Sequence, residues 1–523
     1  METAMHRRNL MLGSLAGASL LPTPGGARAA PKELDSVSVV DVRAFGATGN
    51  GTTIDSPAIN KAIDYAAARG GGTVYFPAGT YACYSIRLKS RITLHLDAGT
   101  VVLAADTVGA TGYDEAEGGP DTGYQDFGHS HWRNSLIWAD GCRDIAIIGQ
   151  GLIWGRGLSR GHRFDGDGPD VSGPGVGNKA IALKSCVNVL LRDFRVLQGG
   201  WFAVLATGVD NMTIDNLIVD TNRDGFDLDG CRNVRIDNCT VNSPWDDGIC
   251  PKSSFALGYP RATEYLTISN CYLTGNYEMG SVVDGTWKVM PPAFRGYGRI
   301  KLGTESNGGF KNITITNCVF DNCFGIALET VDGAVCEDIA ISNISMRGLR
   351  NSPLFLRLGR RMRGPKDLSI GTLRRVLIQN IVSHDAVSLP SIIAGIEGHP
   401  VEDIKISDVY LHQIGGGDSA LAARQPPEDE TGYPDPPKFG DLPATGFFIR
   451  HARNVEMAHV EIAVERPDAR PAFWLRDVAD ADFFRLRLPA GPAFSLDTVT
   501  RFRSFGSRWL EDQRFDDTVS RTF

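Results

Sequence analysis

Residues Thr221–Ser253 read TNRDGFDLDGCRNVRIDNCTVNSPWDDGICPKS. A short alternating strand, NVRIDNCTV from Asn233, sits between two acidic clusters: Asp224, Asp227 and Asp229 before it, Asp246 and Asp247 after it. The strand pattern recurs as NVLLRDFRV from Asn188, NMTIDNLIV from Asn211, YLTISNCYL from Tyr265, NITITNCVF from Asn312, DIAISNISM from Asp338 and DIKISDVYL from Asp403. RVLIQNIVS from Arg375 resembles them, with weaker copies near Asn454 and Asp480. The polar markers Asp193, Asn216, Asn238, Asn270, Asn317, Asn343, Asn380 and Asp408 are spaced by 23, 22, 32, 47, 26, 37 and 28 residues. Short strands at a near-fixed interval with polar corners indicate an all-β, single-stranded parallel β-helix. About 22 residues fill one three-sided coil, and each longer interval is one coil plus an outward loop, giving about ten coils. A β-sandwich does not repeat one strand sequence at a near-constant interval.

Composition agrees. With 42% hydrophobic and 22% charged residues in 523, the chain can bury a large core. A net charge of −8 argues against nucleic acid as a bulk partner. Arg7 and Arg8, an apolar run to Leu21 and Ala27-Arg28-Ala29 read as a twin-arginine export signal over 1–29. Residues 30–523 are then one catalytic domain, expected to be a periplasmic or secreted monomer without a membrane span. Cys239, Cys271 and Cys318 share a repeat position with Ile344 and Ile381, so they read as a buried apolar stack; no Cys/His spacing suggests zinc. A helix is predicted over Ser56 to Arg69, with Ser56 as N-cap and Gly70-Gly71-Gly72 as its stop, capping the first coil. Strands are predicted at Thr73–Phe76, Ser85–Leu88 and Thr93–Leu96. Residues 106–135 read as a long polar loop, and Gln425 to Lys438, rich in Pro and Glu, as an exposed one.

Because neighbouring strands lie about 4.8 Å apart, the 22-residue step from Asp224 to Asp246 puts Asp224, Asp246 and Asp247 on one face. Crowded carboxylates raise the pKa of at least one of them, and two carboxylates on a groove suit hydrolysis of a glycosidic bond. Asp227, Asp229 and Asp237 read instead as caps of bends.

Asn222-Arg223-Asp224-Gly225-Phe226-Asp227 resembles the NTDGxD motif of the polygalacturonase family, glycoside hydrolase family 28, and Asp246–Ser253 resembles its DDCIAIKSG motif. The likeness extends through FGATGNGTTIDSPAINKAI, GGGTVYFPAGTY and IIGQGLIWGRG and covers about 40–365. It implies a right-handed (pectin-lyase-like) β-helix and hydrolysis with inversion. Asp246 would be the general acid, Asp224 and Asp247 would hold the attacking water, and no metal or other cofactor is implied. Three departures stand out. Arg223 replaces Thr in the first motif. Tyr297, between Gly296 and Gly298, replaces the His of the family's GHG loop. Ala327-Leu328-Glu329 stands where the family has Arg-Ile-Lys. Arg299-Ile300-Lys301 carries both charges one coil earlier. Lys252, Tyr297, Arg299, Lys301, Glu329 and Arg357 are therefore the candidate substrate contacts, with Arg299 and Lys301 expected to grip a uronate carboxylate and Glu329 to face a neutral sugar. Arg360, Arg361 and Arg363 extend the basic patch, equally readable as plain surface.

The sequence thus predicts a pectin-directed glycoside hydrolase, exo-acting or specialised for a branched pectin such as rhamnogalacturonan. A β-helix polysaccharide lyase acting on uronides, using Arg or Lys as base, and a non-catalytic glycan-binding β-helix are the alternatives. The excursions at 106–135 and 280–298 are expected to close one end of the groove.

Overall fold

The computed structural model describes residues 39–118, 123–160, 172–291, 294, 296–385 and 387–523; the export signal expected over 1–29 lies outside them. The repeat strands pair in parallel from coil to coil. Asp210–Asp215 pairs with Arg232–Asp237, which pairs with Thr263–Ser269, which pairs with Phe310–Thr316. Such parallel crossovers are right-handed, and the fold is a right-handed parallel β-helix. In-register stacking aligns like with like. Met212, Val234, Leu266, Ile313, Ile339, Val376, Ile404 and Val455 form one buried column through eight coils. Each such side chain contributes about 1.5–3 kcal/mol relative to an exposed one. All ten cysteines are free, and Cys239, Cys271 and Cys318 are buried on successive coils.

The bends explain the polar markers. Asn216, Asn238, Asn270, Asn317, Asn343 and Asn380 all have φ of 55–56°, a left-handed conformation that Asn tolerates and branched residues do not. Their side chains then bond along the helix axis: Asn317 Nδ2 to Asn270 Oδ1 (3.3 Å), Asn343 to Asn317 (3.1 Å), Asn380 to Asn343 (3.1 Å). Asp237, at the residue before one such bend, accepts from Asn270. The first residue of each repeat is also left-handed, including Tyr265 (φ 57°) and Arg375 (φ 54°), which composition gave no reason to expect.

The ends are closed differently. The helix Ser56–Ala68 buries Ile59, Ala62, Ile63 and Ala66 against the first coil. Its N-cap is Asp55 rather than Ser56; Ser56 Oγ instead accepts from the Tyr84 N–H (3.0 Å). At the other end Gln513–Phe515 and Val519–Thr522 pair antiparallel with Phe494–Phe505, covering an edge that a further parallel coil would otherwise extend.

Two stability measurements test this account. Asn317→Val should cost about 3 kcal/mol in urea unfolding, combining left-handed strain with lost hydrogen bonds, whereas Asn317→Gly should cost about 1 kcal/mol. Asp385 is buried, accepting from Ser383 and from Gln413 Nε2 (2.6 Å), and burial pushes its pKa from 3.8 up to about 8. Its folded form therefore holds a proton that the unfolded chain releases, so this contribution to stability is lost as pH rises from about 4 through 8. Asp385→Asn should remove that decline, leaving a flatter stability profile over the same window.

Candidate active site

Six strands, Ile86–Arg87, Ile137–Asp140, Lys179–Lys184, Phe202–Thr207, Asp224–Asp229 and Ile249–Lys252, make one sheet in chain order. Phe226 pairs with Ile249, and the Gly225 N–H donates to the Asp247 carbonyl (3.0 Å). Asp224 therefore lies one coil before Asp246 and Asp247, and the carboxylate oxygens of all three fall within 4.8 Å of one another. They line a cavity of about 450 Å³.

The three carboxylates differ in environment. Asp247 is buried between two cations, 2.7 Å from Arg299 Nε and 2.7 Å from Lys301 Nζ. Burial alone would raise its pKa, but Arg299 and then Lys301 hold it well below the usual carboxylate range. Asp224 is equally buried; burial first, then the charges of Asp246 and Asp227, push its pKa well up against the opposing Arg223 and Lys252. Its Oδ1 has no hydrogen-bond partner among the described residues. Asp246 is the most exposed, at 23%, and its two oxygens accept from Arg223 Nε (3.1 Å) and the Asp247 N–H (3.1 Å).

Lys301 pairs in register with Ala327, so the basic pair does lie one coil before the Ala327-Leu328-Glu329 strand. Both charges line the cavity, and each already pairs with Asp247 there. Lys252 also lines the cavity and pairs with Glu305 (3.1 Å). Tyr297 lines it too, its ring 4.5 Å from that of Phe324.

Glu329 and Arg357 do not line the cavity. Glu329 is fully buried beneath it, accepting from Thr304 Oγ1 (3.1 Å), and burial raises its pKa to about 7 against the opposing Lys301 and Arg299. It is therefore not placed to touch a bound sugar. Arg357 is buried with its guanidinium on the backbone carbonyls of Gly395, Glu428 and Asp429 (2.9–3.0 Å). Its role is structural: with Arg450, which donates to the Pro426 and Pro427 carbonyls, it pins the 425–438 segment. That segment, expected to be an exposed loop, folds over the site and contributes Tyr433, Asp435 and Lys438 to the cavity. Arg361 pairs with Asp332, and Arg360 with Glu430 (2.6 Å).

Residues 106–135 reach the same cavity through Asp126 and His129, and Arg363 Nη2 lies 3.7 Å from Asp126. His129 Nε2 lies 3.4 Å from Asp227, and both are fully enclosed. Asp227 therefore stands inside a strand rather than capping a bend, and Asp229 accepts from the Ser254 N–H (2.6 Å). Of the 280–298 excursion, Tyr297 lines the cavity. Sequence reading left out Trp245, Glu305, Tyr433, Asp435 and Lys438 as site residues; for the last three, the Pro-rich composition hid a segment whose position depends on buried arginines. Away from the cavity, His384, His412 and Glu465 on successive coils bring donor atoms suited to a divalent cation within 4.8 Å of one another.

Comparison with known proteins agrees with the fold. A family described as "Rhamnogalacturonase A/epimerase, pectate lyase-like" matches residues 39–142, and one described as "Right handed beta helix region" matches 170–290. A probable polygalacturonase of Vitis vinifera is 25% identical over 72% of this chain and 74% of its own length. An exo-poly-alpha-D-galacturonosidase of Dickeya chrysanthemi is 29% identical over 61% of this chain and 57% of its own. The fold matches the family 28 exopolygalacturonase of Yersinia enterocolitica with a TM-score of 0.62 at 19% identity, over 87% of this chain and 78% of that one.

The pinned segment gives a direct test. Arg357→Ala should raise amide hydrogen exchange across 425–438 by at least about tenfold, since three carbonyl contacts are lost. Residues 221–253 should keep their protection.

Proposed function

The chain belongs to the polygalacturonase family of glycoside hydrolases, and on that premise we propose that it removes sugar residues from the ends of galacturonate chains by inverting hydrolysis. The observation that carries the exo reading is the shape of the site. Three excursions meet at the carboxylates: 106–135 through Asp126 and His129, the stretch after Leu358 through Arg363, and 425–438 through Tyr433, Asp435 and Lys438. The Arg363–Asp126 contact joins two of them across the cavity. A pocket bounded in this way receives a chain end more readily than the middle of a polymer.

In this reading Asp246, the carboxyl most open to the cavity, protonates the leaving glycosidic oxygen. Asp247, held ionised by Arg299 and Lys301, orients a water molecule with Asp224. The water oxygen forms a bond to the anomeric carbon as the glycosidic bond breaks, and the water proton passes to a carboxylate, all in a single displacement. The rhamnogalacturonan alternative drew on Glu329 facing a neutral sugar; with Glu329 enclosed, a uniform uronide is favoured. A lyase would need a neutral Lys or Arg as base. Burial alone would lower the pKa of Lys301, but Asp247 holds it well above the usual range, which disfavours that route. An exported enzyme would meet such polymers outside the cytoplasm, and no helix among the described residues is long and apolar enough to cross a membrane.

Incubation with defined oligogalacturonides should yield a single small sugar from the first minutes, with an inverted anomer by NMR and no ultraviolet-absorbing unsaturated product. A ladder of intermediate lengths would replace the exo reading with an endo one. Asp246→Asn should lose at least about 10³-fold in kcat with a much smaller change in KM; near-normal turnover would place the proton donor elsewhere.

A further inference from the structure

Away from the cavity, three strands of neighbouring coils end side by side: Thr372–Asp385, Val401–Gly415 and Phe447–Arg466. His384 pairs in register with His412, and His412 with Ala463. Ser383, Asp385, Leu411 and Gln413 are buried, so alternation turns both histidines to the outer face. Glu465, two residues beyond Ala463 and on that same face, reaches back past the short alanine side chain, and its Oε1 is 3.9 Å from His412 Nδ1. The two imidazoles stack, with 4.3 Å between ring centres and 20° between planes. One donor atom from each of His384, His412 and Glu465 falls within 4.8 Å of the other two. His412 Nδ1 is enclosed and has no hydrogen-bond partner among the described residues. A bound cation would satisfy it.

We propose that His384, His412 and Glu465 bind one divalent transition-metal ion of the zinc class, and that the ion staples three successive coils. Two imidazoles and a carboxylate suit zinc and its transition-metal neighbours, whereas magnesium and calcium take oxygen donors. Metal–ligand bonds of about 2.0–2.2 Å need the donors closer together than they stand. His384 and Glu465 are exposed, so both side chains can turn to close that gap. Three protein ligands leave a fourth position, on the solvent side, for water. The chain leaves the coil at Gly415, three residues after His412, and rejoins it at Phe447. The excursion between them carries Tyr433, Asp435 and Lys438 to the carboxylate cavity. An ion tying His412 to both neighbouring coils therefore fixes the root from which that wall departs. None of the three ligands lines the cavity, so the metal site is independent of the hydrolytic chemistry.

The test titrates zinc chloride calorimetrically into the full chain after chelator treatment and dialysis. The wild type should show a site with a Kd below about 100 μM, for which an equal concentration of magnesium does not compete. His384→Ala and Glu465→Gln, both exposed changes that the fold tolerates, should each raise that Kd at least about tenfold. Asp246→Asn, in the carboxylate cavity, should leave it unchanged. Hydrogen exchange reads the staple: zinc should slow the amides of 410–416 and 462–467 by at least about threefold in the wild type and not in His384→Ala. A wild-type Kd above about 100 μM, displacement by magnesium, a Kd unchanged in both ligand variants, or binding lost in Asp246→Asn overturns the site. Zinc bound through these residues without slower exchange beside them overturns the staple.

Discussion

A backbone bend into the left-handed region, at the same place in coil after coil, sets the geometry of this molecule. Asn accepts that conformation at little cost, and its side chain then bonds to the residue one coil away. The bend fixes where each strand begins, and the ladder fixes the register between coils. Register in turn stacks aliphatic on aliphatic inside and carries Asp224 to its place beside Asp247. A one-residue slip would turn both the core column and the carboxylates to the wrong face.

Stacking alone would make the site unstable. Carboxylates a few ångströms apart repel, and burial removes the water that would screen them. The protein resolves this by treating the three unequally. Asp247 receives two cations, Asp246 shares one with the cavity mouth, and Asp224 is left in a place that favours its neutral form. The unequal surroundings push Asp224 and Asp247 in opposite directions, so neighbouring carboxyls of one cluster are not interchangeable.

The walls follow a different logic from the floor. The floor comes from the repeat, whereas the walls come from excursions between repeats, held by buried arginines that donate to backbone carbonyls. Arg357 and Arg450 meet no sugar-facing space; they satisfy the carbonyls of a segment that has no strand partner of its own. This placement makes a cavity from what a bare β-helix would present as an open groove.

The sequence by itself determined the parallel coil, the capping helix, the apolar column and the stacking of Asp224 on Asp246 and Asp247. All of these follow from spacing, and a helical repeat converts spacing directly into position. The one-coil relation between Arg299-Ile300-Lys301 and Ala327-Leu328-Glu329 was legible for the same reason. What each charge faces was decided only by the tertiary structure. Arg299 and Lys301 turn to a carboxylate of the protein, Glu329 lies beneath the floor, Arg357 holds a loop, and Asp227 meets His129 from a distant excursion. Residues in a repeat occupy positions that the period dictates, whereas the partners brought in by loops depend on packing across long sequence separations, for which the chain carries no periodic signal.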